Sequence, residues 1–206
     1  MTDSSQDPAP VIVHHGAGSA RVTVLAGPTA VGKGTVVKRL LELFPQIHLS
    51  TSATTRAPRP DEVDGEHYHF VSDGEFTGLV ERGDMLEWAI VHGQHRYGTP
   101  RGPVLSQLEN GHPVLLEIDL AGARQVRTTM PNAQFVFLAP PSWEELTARL
   151  TGRGTESAAE QQRRLDTARI ELAAAPEFDV TIVNDDVDRA VQELARVMGV
   201  GDVTSG

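Results

Sequence analysis

The chain has 206 residues, a formal net charge of −10 and no cysteine, so it fits one domain, with or without smaller subdomains, and can bury a sizeable core. The acidic balance argues against a nucleic-acid partner, which needs a basic face. The missing cysteines exclude disulfides, thiolate catalysis and cysteine-type zinc sites, and no apolar run or leader-like N-terminus points to a membrane, so a cytoplasmic location is expected.

In chain order, residues 1–20 are rich in Ser, Asp, Pro, Gly and Ala and are expected to form a flexible tail. Four short apolar runs then recur: RVTVLA (21–26), VLLEID (114–119), QFVFLA (134–139) and DVTIVN (179–184). Such runs suit parallel strands buried on both faces. Amphipathic segments alternate with them: one carrying Val37, Leu40, Leu41 and Phe44, and others over 120–130, 142–151, 158–174 and 186–198. That alternation predicts an α/β fold, an open parallel sheet with helices on both faces. Residues 50–100 break the rhythm with prolines, glycines, strand-like HYHFVS and MLEWAIV, and one helix near 73–82. They read as an inserted subdomain, leaving 21–49 and 101–200 as the core. A second interruption, TGRGTES (151–157), precedes a helix whose start carries Ser157 and Glu160 at capping-box spacing.

GPTAVGKGT, Gly27 to Thr35, follows the first strand and opens a helix. Strand, glycine-rich turn and helix together form the context of a phosphate-binding loop, whose backbone N–H groups and helix N-terminus converge on an anion. Lys33 can reach the outer phosphates of a nucleoside triphosphate. The pattern normally ends in a hydroxyl that ligates magnesium, but here Gly34 takes that position and Thr35 brings the hydroxyl one residue late. The expectation is Mg²⁺ with no direct protein ligand, held by phosphates and water. G-K-G-T is similar to the loop of nucleoside monophosphate kinases rather than of GTPases. STSATTRAPRPDEVDGEHYHF (50–70) offers Arg56, Arg59 and Tyr68 as a clamp for an acceptor phosphate.

With STSATTRAPRP, GEHYHFVS, MLEWAIVHG, YGT, LLEIDLAGA, RGTES and IVNDD in order after the loop, the chain resembles guanylate kinases over about residues 21–198. The resemblance implies direct in-line phosphoryl transfer from ATP to GMP with Mg²⁺. It assigns Gly27, Pro28, Thr29, Ala30, Val31, Gly32, Lys33, Gly34, Thr35 and Asn184 to ATP. It assigns Ser52, Arg56, Arg59, Tyr68, Glu87, Tyr97, Thr99 and Asp119 to GMP, making 50–100 the GMP-binding subdomain. Lys33, Arg149, Arg153 and Arg164 are then the catalytic cations, the arginines belonging to a lid over about 149–164. The chemistry agrees: a carboxylate at Glu87 can accept both N1–H and N2–H₂ of guanine, while a hydroxyl donates to O6.

Three departures accompany the match. Glu117 stands where an aspartate is commoner, GQHRYGT carries one residue more than the usual G-N-Y-Y-G-T, and Ala30 replaces a frequent loop glycine. Arg163 reads as a surface charge and the His67/His69 pair as strand residues. The rival from another class is a catalytically silent interaction module of the same fold.

Overall fold

The computed structural model describes residues 20–91, 93–151 and 158–200. The expected tail before residue 20, Arg153 and the Ser157 cap lie outside the described residues.

Five parallel strands form the central sheet: β1 (Val22–Ala26), β2 (His48–Leu49), β7 (Val114–Glu117), β8 (Gln134–Ala139) and β9 (Val180–Val183), in the order β2-β7-β1-β8-β9. β1 is central, Val22 to Leu25 matching Val114 to Glu117 on one side and Thr23 to Ala26 matching Gln134 to Phe137 on the other. Its residues are all buried and alternate between two cores, as the period of a strand requires. Leu25 packs with α1 (Lys33–Leu43) and α7 (Val187–Met198), while Val24 and Ala26 pack with Val104 of α3 (Arg101–Glu109) and with Ala123 and Val126 of α4 (Leu120–Thr129). α7 shows why such helices form. Asp186 caps its first turn through the Arg189 amide, Ala190, Val191, Leu194, Ala195 and Met198 make one buried stripe, and Gly199 ends it at φ 71.

A second sheet lies within residues 53–100: β3 (Ala53–Thr54), β4 (His69–Phe70), β5 (Met85–Val91) and β6 (His95–Pro100), in the order β4-β3-β6-β5. Its small core is Ala53, Phe76 and Met85, with Val71, Leu79, Val80 and Trp88 around them. Phe76 comes from α2 (Asp73–Glu81), which starts at a full Ser72–Glu75 capping box. Helices α5 (Trp143–Thr151) and α6 (Ala158–Ala173) pack together through Leu146, Leu150 and Ala168.

Several elements go beyond the sequence expectation. β2, β3 and β6 are strands too short or too polar to stand out as apolar runs. α3 hides behind Gly102 and Pro103, yet Pro103 falls in the first turn, where a helix has no partner for the missing N–H.

Candidate active site

The phosphate loop leaves the carboxyl end of the central strand, where open α/β sheets hold their ligands. Two of its glycines are needed for distinct reasons. A Cβ on Gly27 would come 2.3 Å from the Leu138 carbonyl oxygen, and Gly32 combines φ 98 with a Cβ position 2.7 Å from Asn184 Nδ2. Ala30 also adopts a positive φ, 67, a conformation that costs a non-glycine residue about 1–2 kcal/mol. Its methyl packs against the buried cluster of Leu146, Leu150 and Ala168 in the α5–α6 pair, which offsets part of that cost. The departure from glycine therefore falls at a position where φ matters.

α1 starts at Gly32 with no side-chain cap and no acidic residue in its first turn, so those amides are open to an anion. Lys33 Nζ donates to the Gly27 carbonyl at 2.7 Å. Burial pulls its pKa down, opposed by the charges of Glu171, Glu117 and Asp119. Three other side chains brace the loop. Asn184, buried, donates from Nδ2 to the Val31 carbonyl at 2.8 Å, and Arg149 donates to the same oxygen at 3.2 Å. The Thr29 N–H donates to Glu171 Oε2 at 3.0 Å. Asn184, predicted near the ATP base, thus supports the loop itself. Beside Thr29 lies a cavity of about 340 Å³ lined by Glu160, Arg163, Arg164 and Thr167 of α6. Arg164 and Arg163 thus lie beside the loop residue Thr29, although Arg163 reads from sequence only as a surface charge.

The second sheet carries the other cluster. Glu87 on β5 is 8% exposed and lies across from Thr99 on β6. Thr99 Oγ1 donates to Glu87 Oε1 at 2.6 Å. The strand register pairs Glu87 with Thr99 and Ala89 with Tyr97, so the extra residue of GQHRYGT is absorbed in the hairpin's turn. Burial pushes the Glu87 carboxyl up from its ordinary range; the Thr99 hydrogen bond opposes this and the charge of Asp119 adds to it. Asp119 caps α4 by accepting the Gly122 N–H at 2.7 Å. A Cβ on Gly122 would stand 3.2 Å from Glu87 Oε2 and 3.4 Å from Asp119 Oδ1. An acid of the second sheet and the capping acid of α4 thus meet over one glycine.

Arg56 is held in place in the loop after β3. Its Nη2 donates to Glu62 at 2.8 Å and its Nε to the Tyr97 hydroxyl at 3.1 Å, with its guanidinium 5.5 Å from the centre of the Tyr68 ring. The Arg56 hydrogen bond, joined by the Arg59 backbone N–H, holds the Glu62 carboxyl down to about 2. Arg56, Tyr68 and Tyr97 are therefore together; Arg59 lends this cluster its backbone while its residue is exposed. Ser52 is half-buried just before β3, its carbonyl accepting the His69 N–H at 2.9 Å. Glu62, Glu171 and Gln125 were not singled out from sequence. Glu62 follows Arg59 closely enough to suggest pairing, but nothing local marks the other two.

Gly122→Ala should separate stability from recognition. The helix gains up to about 1 kcal/mol of propensity, while the new methyl presses on the Glu87 carboxylate. The expected result is a severalfold rise in the KM for GMP with no fall in Tm, read by steady-state kinetics and thermal melting. An unchanged KM would mean that the carboxylate is not seated where substrate meets it.

Among known proteins, the family model described as "Guanylate kinase" matches residues 19–200. A guanylate kinase of Thermobifida fusca is 62% identical over 88% of this chain and 94% of its own length. One from Leifsonia xyli is 59% identical over 87% of this chain and 70% of its own. The crystal structure of guanylate kinase from Anaplasma phagocytophilum superposes with a TM-score of 0.66 at 30% identity, covering 91% of this chain and 89% of that one. A match of this depth, running through both the phosphate loop and the sheet that bears Glu87, leaves one assignment: the chain belongs to the guanylate kinase family, as an enzyme that phosphorylates GMP.

Proposed function

We propose that the two clusters divide the work of direct in-line transfer from ATP to GMP, the loop of Gly27–Thr35 taking the triphosphate and the second sheet taking the monophosphate. The observation that carries this reading is the buried Glu87–Thr99 pair, an acceptor beside a donor at 2.6 Å. Glu87 accepts N1–H and N2–H₂ of guanine, which frees the Thr99 proton from the carboxylate so that the Thr99 and Ser52 hydroxyls donate to O6, with Asp119 nearby. Adenine would set a lone pair against the carboxylate and leave buried polar groups unpaired, which discriminates strongly. Arg56, Arg59, Tyr68 and Tyr97 take the acceptor phosphate. Lys33 exchanges the Gly27 carbonyl for phosphate oxygens, and Arg149, Arg153 and Arg164 neutralise charge as the phosphoryl group moves and exclude water. Asn184 belongs to the ATP site as the brace of its loop.

Magnesium neutralises phosphate charge when it accompanies ATP. Gly34 offers no side-chain ligand at the position where the pattern normally has a hydroxyl, which fits an ion carried by phosphates and water. No described helix is long and apolar enough to cross a membrane. A cytoplasmic enzyme acting on small nucleotides, without a nucleic-acid partner, is the reading we adopt.

A coupled ADP-release assay with GMP, AMP, CMP and UMP, with and without Mg²⁺, tests it. The expected result is Mg²⁺-dependent turnover of GMP, with the others at least about a hundredfold lower in kcat/KM. Binding of GMP without turnover would favour the interaction-module reading, and turnover of another acceptor would remove Glu87 from its role.

A further inference from the structure

β5 is an edge strand, and α4 packs along it where another strand would lie. Residues alternate along such a strand: those in hydrogen-bonded pairs with β6 turn their backbone groups inward, and those in the pairs between turn theirs outward. Trp88 turns outward, and Gln125 of α4 meets both of its groups. Gln125 Oε1 accepts the Trp88 N–H at 3.1 Å, and Gln125 Nε2 donates to the Trp88 carbonyl at 3.0 Å. One turn further along α4, Thr129 Oγ1 donates to the Leu86 carbonyl at 2.7 Å. Leu86 and Trp88 are the two neighbours of Glu87. The helix therefore stands in for a strand over the three residues centred on the buried carboxylate. Its first turn also carries Asp119 as cap, with Gly122 against Glu87.

We infer that Gln125 is a positioning residue for guanine recognition: by holding both backbone groups of Trp88 it fixes the direction in which Glu87 presents its carboxylate to the base. The inference rests on the reading of Glu87 as the base-binding carboxylate. A carboxylate that must accept two parallel donors is sensitive to small displacement, because a binding group is held only as firmly as the residues that support it. Gln125 touches no substrate in this scheme. An amide that merely covers an edge strand against stray pairing would act on stability and leave base selectivity alone, and this difference is measurable.

The test compares GMP with IMP, whose base lacks the 2-amino group and so has one donor fewer for Glu87. Gln125→Leu should lower kcat/KM for GMP about tenfold, the scale of one or two hydrogen bonds, with the KM for ATP unchanged. The GMP/IMP preference should shrink, because the lost alignment matters most to the base with two donors. In a Glu87→Ala background the same substitution should change neither value. Thr129→Val, which releases Leu86, should shift the preference in the same direction. If Gln125→Leu lowers Tm but keeps the parental KM for GMP and the parental GMP/IMP ratio, the residue is an edge cover and the inference fails. If Gln125→Leu does not fold, Gln125→Glu, which sets an oxygen against the Trp88 carbonyl, and Thr129→Val give the same readings. Glu87→Ala alone separates the two claims: a parental KM for GMP there overturns the assignment of Glu87, whatever Gln125 does.

Discussion

Lys33→Met is expected to lower kcat by about a thousandfold, the scale seen when one preorganised charge donor is removed from a transition state. Methionine keeps the unbranched stem and removes the ammonium. In the resting structure that ammonium rests on the Gly27 carbonyl at 2.7 Å, inside the loop proposed to take the triphosphate. It is also the cation facing Glu171, Glu117 and Asp119. Without it, a triphosphate entering the loop meets three carboxylates with one positive charge fewer to screen them. Affinity for ATP should therefore fall along with kcat, while affinity for GMP should hardly move. Single-turnover kinetics together with calorimetric titration of each nucleotide check this. Turnover within tenfold of the parent would show that the loop backbone and the arginines carry the transfer without Lys33.

Glu87→Gln should divide function from stability. Burial pushes this carboxyl up, so the native protein keeps its proton to a higher pH than the unfolded chain does. Stability linked to the group is then greatest in acid. It declines as pH rises from the ordinary glutamate value through the raised one, and above both the buried charge is a standing cost. Glutamine removes the charge and can still accept from Thr99. The expected outcome is a higher Tm near pH 7.5, a difference that closes below about pH 4 where the parent carboxyl is neutral in both states. Over the same substitution kcat/KM for GMP should fall about a hundredfold, since an amide turns a donor toward a donor of guanine. In the parent, acidification should raise the KM for GMP from a pH above the usual carboxylate range. Unchanged kcat/KM for GMP in the variant would remove Glu87 from the base site.

Much of this was legible in the sequence because it is local or periodic. The four apolar runs became strands β7, β1, β8 and β9. The first three are buried along most of their length, as parallel strands covered on both faces require, whereas β9 at the sheet's edge buries only Ile182 and exposes Thr181 and Val183. The phosphate loop was legible because its glycines, its lysine and the following helix sit within nine residues, Gly27 to Thr35. β2 was not, since His48–Leu49 is two residues long and owes its place to pairing with Val114 and Leu115. The cluster on the second sheet was legible as residue types only. That Thr99 meets Glu87 follows from the register of a hairpin whose turn takes up one extra residue. Gln125 and Glu171 act through backbone groups distant in sequence, Trp88 and Thr29. Side chains with such tasks leave no spacing to recognise, and only the folded chain brings them into reach.

The strand order has a consequence for the growing chain. Every strand of the second sheet finds its neighbours among residues 53–100. β1, by contrast, is made first and waits for β7 and β8, which come after that whole stretch. As synthesis proceeds, the smaller sheet has all its strands while the phosphate loop still hangs from a strand with neither flank in place. Contacts between such distant segments are the slow ones to form. The oldest part of the chain is thus the last to become a working nucleotide cradle, and an interrupted product stopping before residue 114 carries the loop's full sequence without the sheet that shapes it.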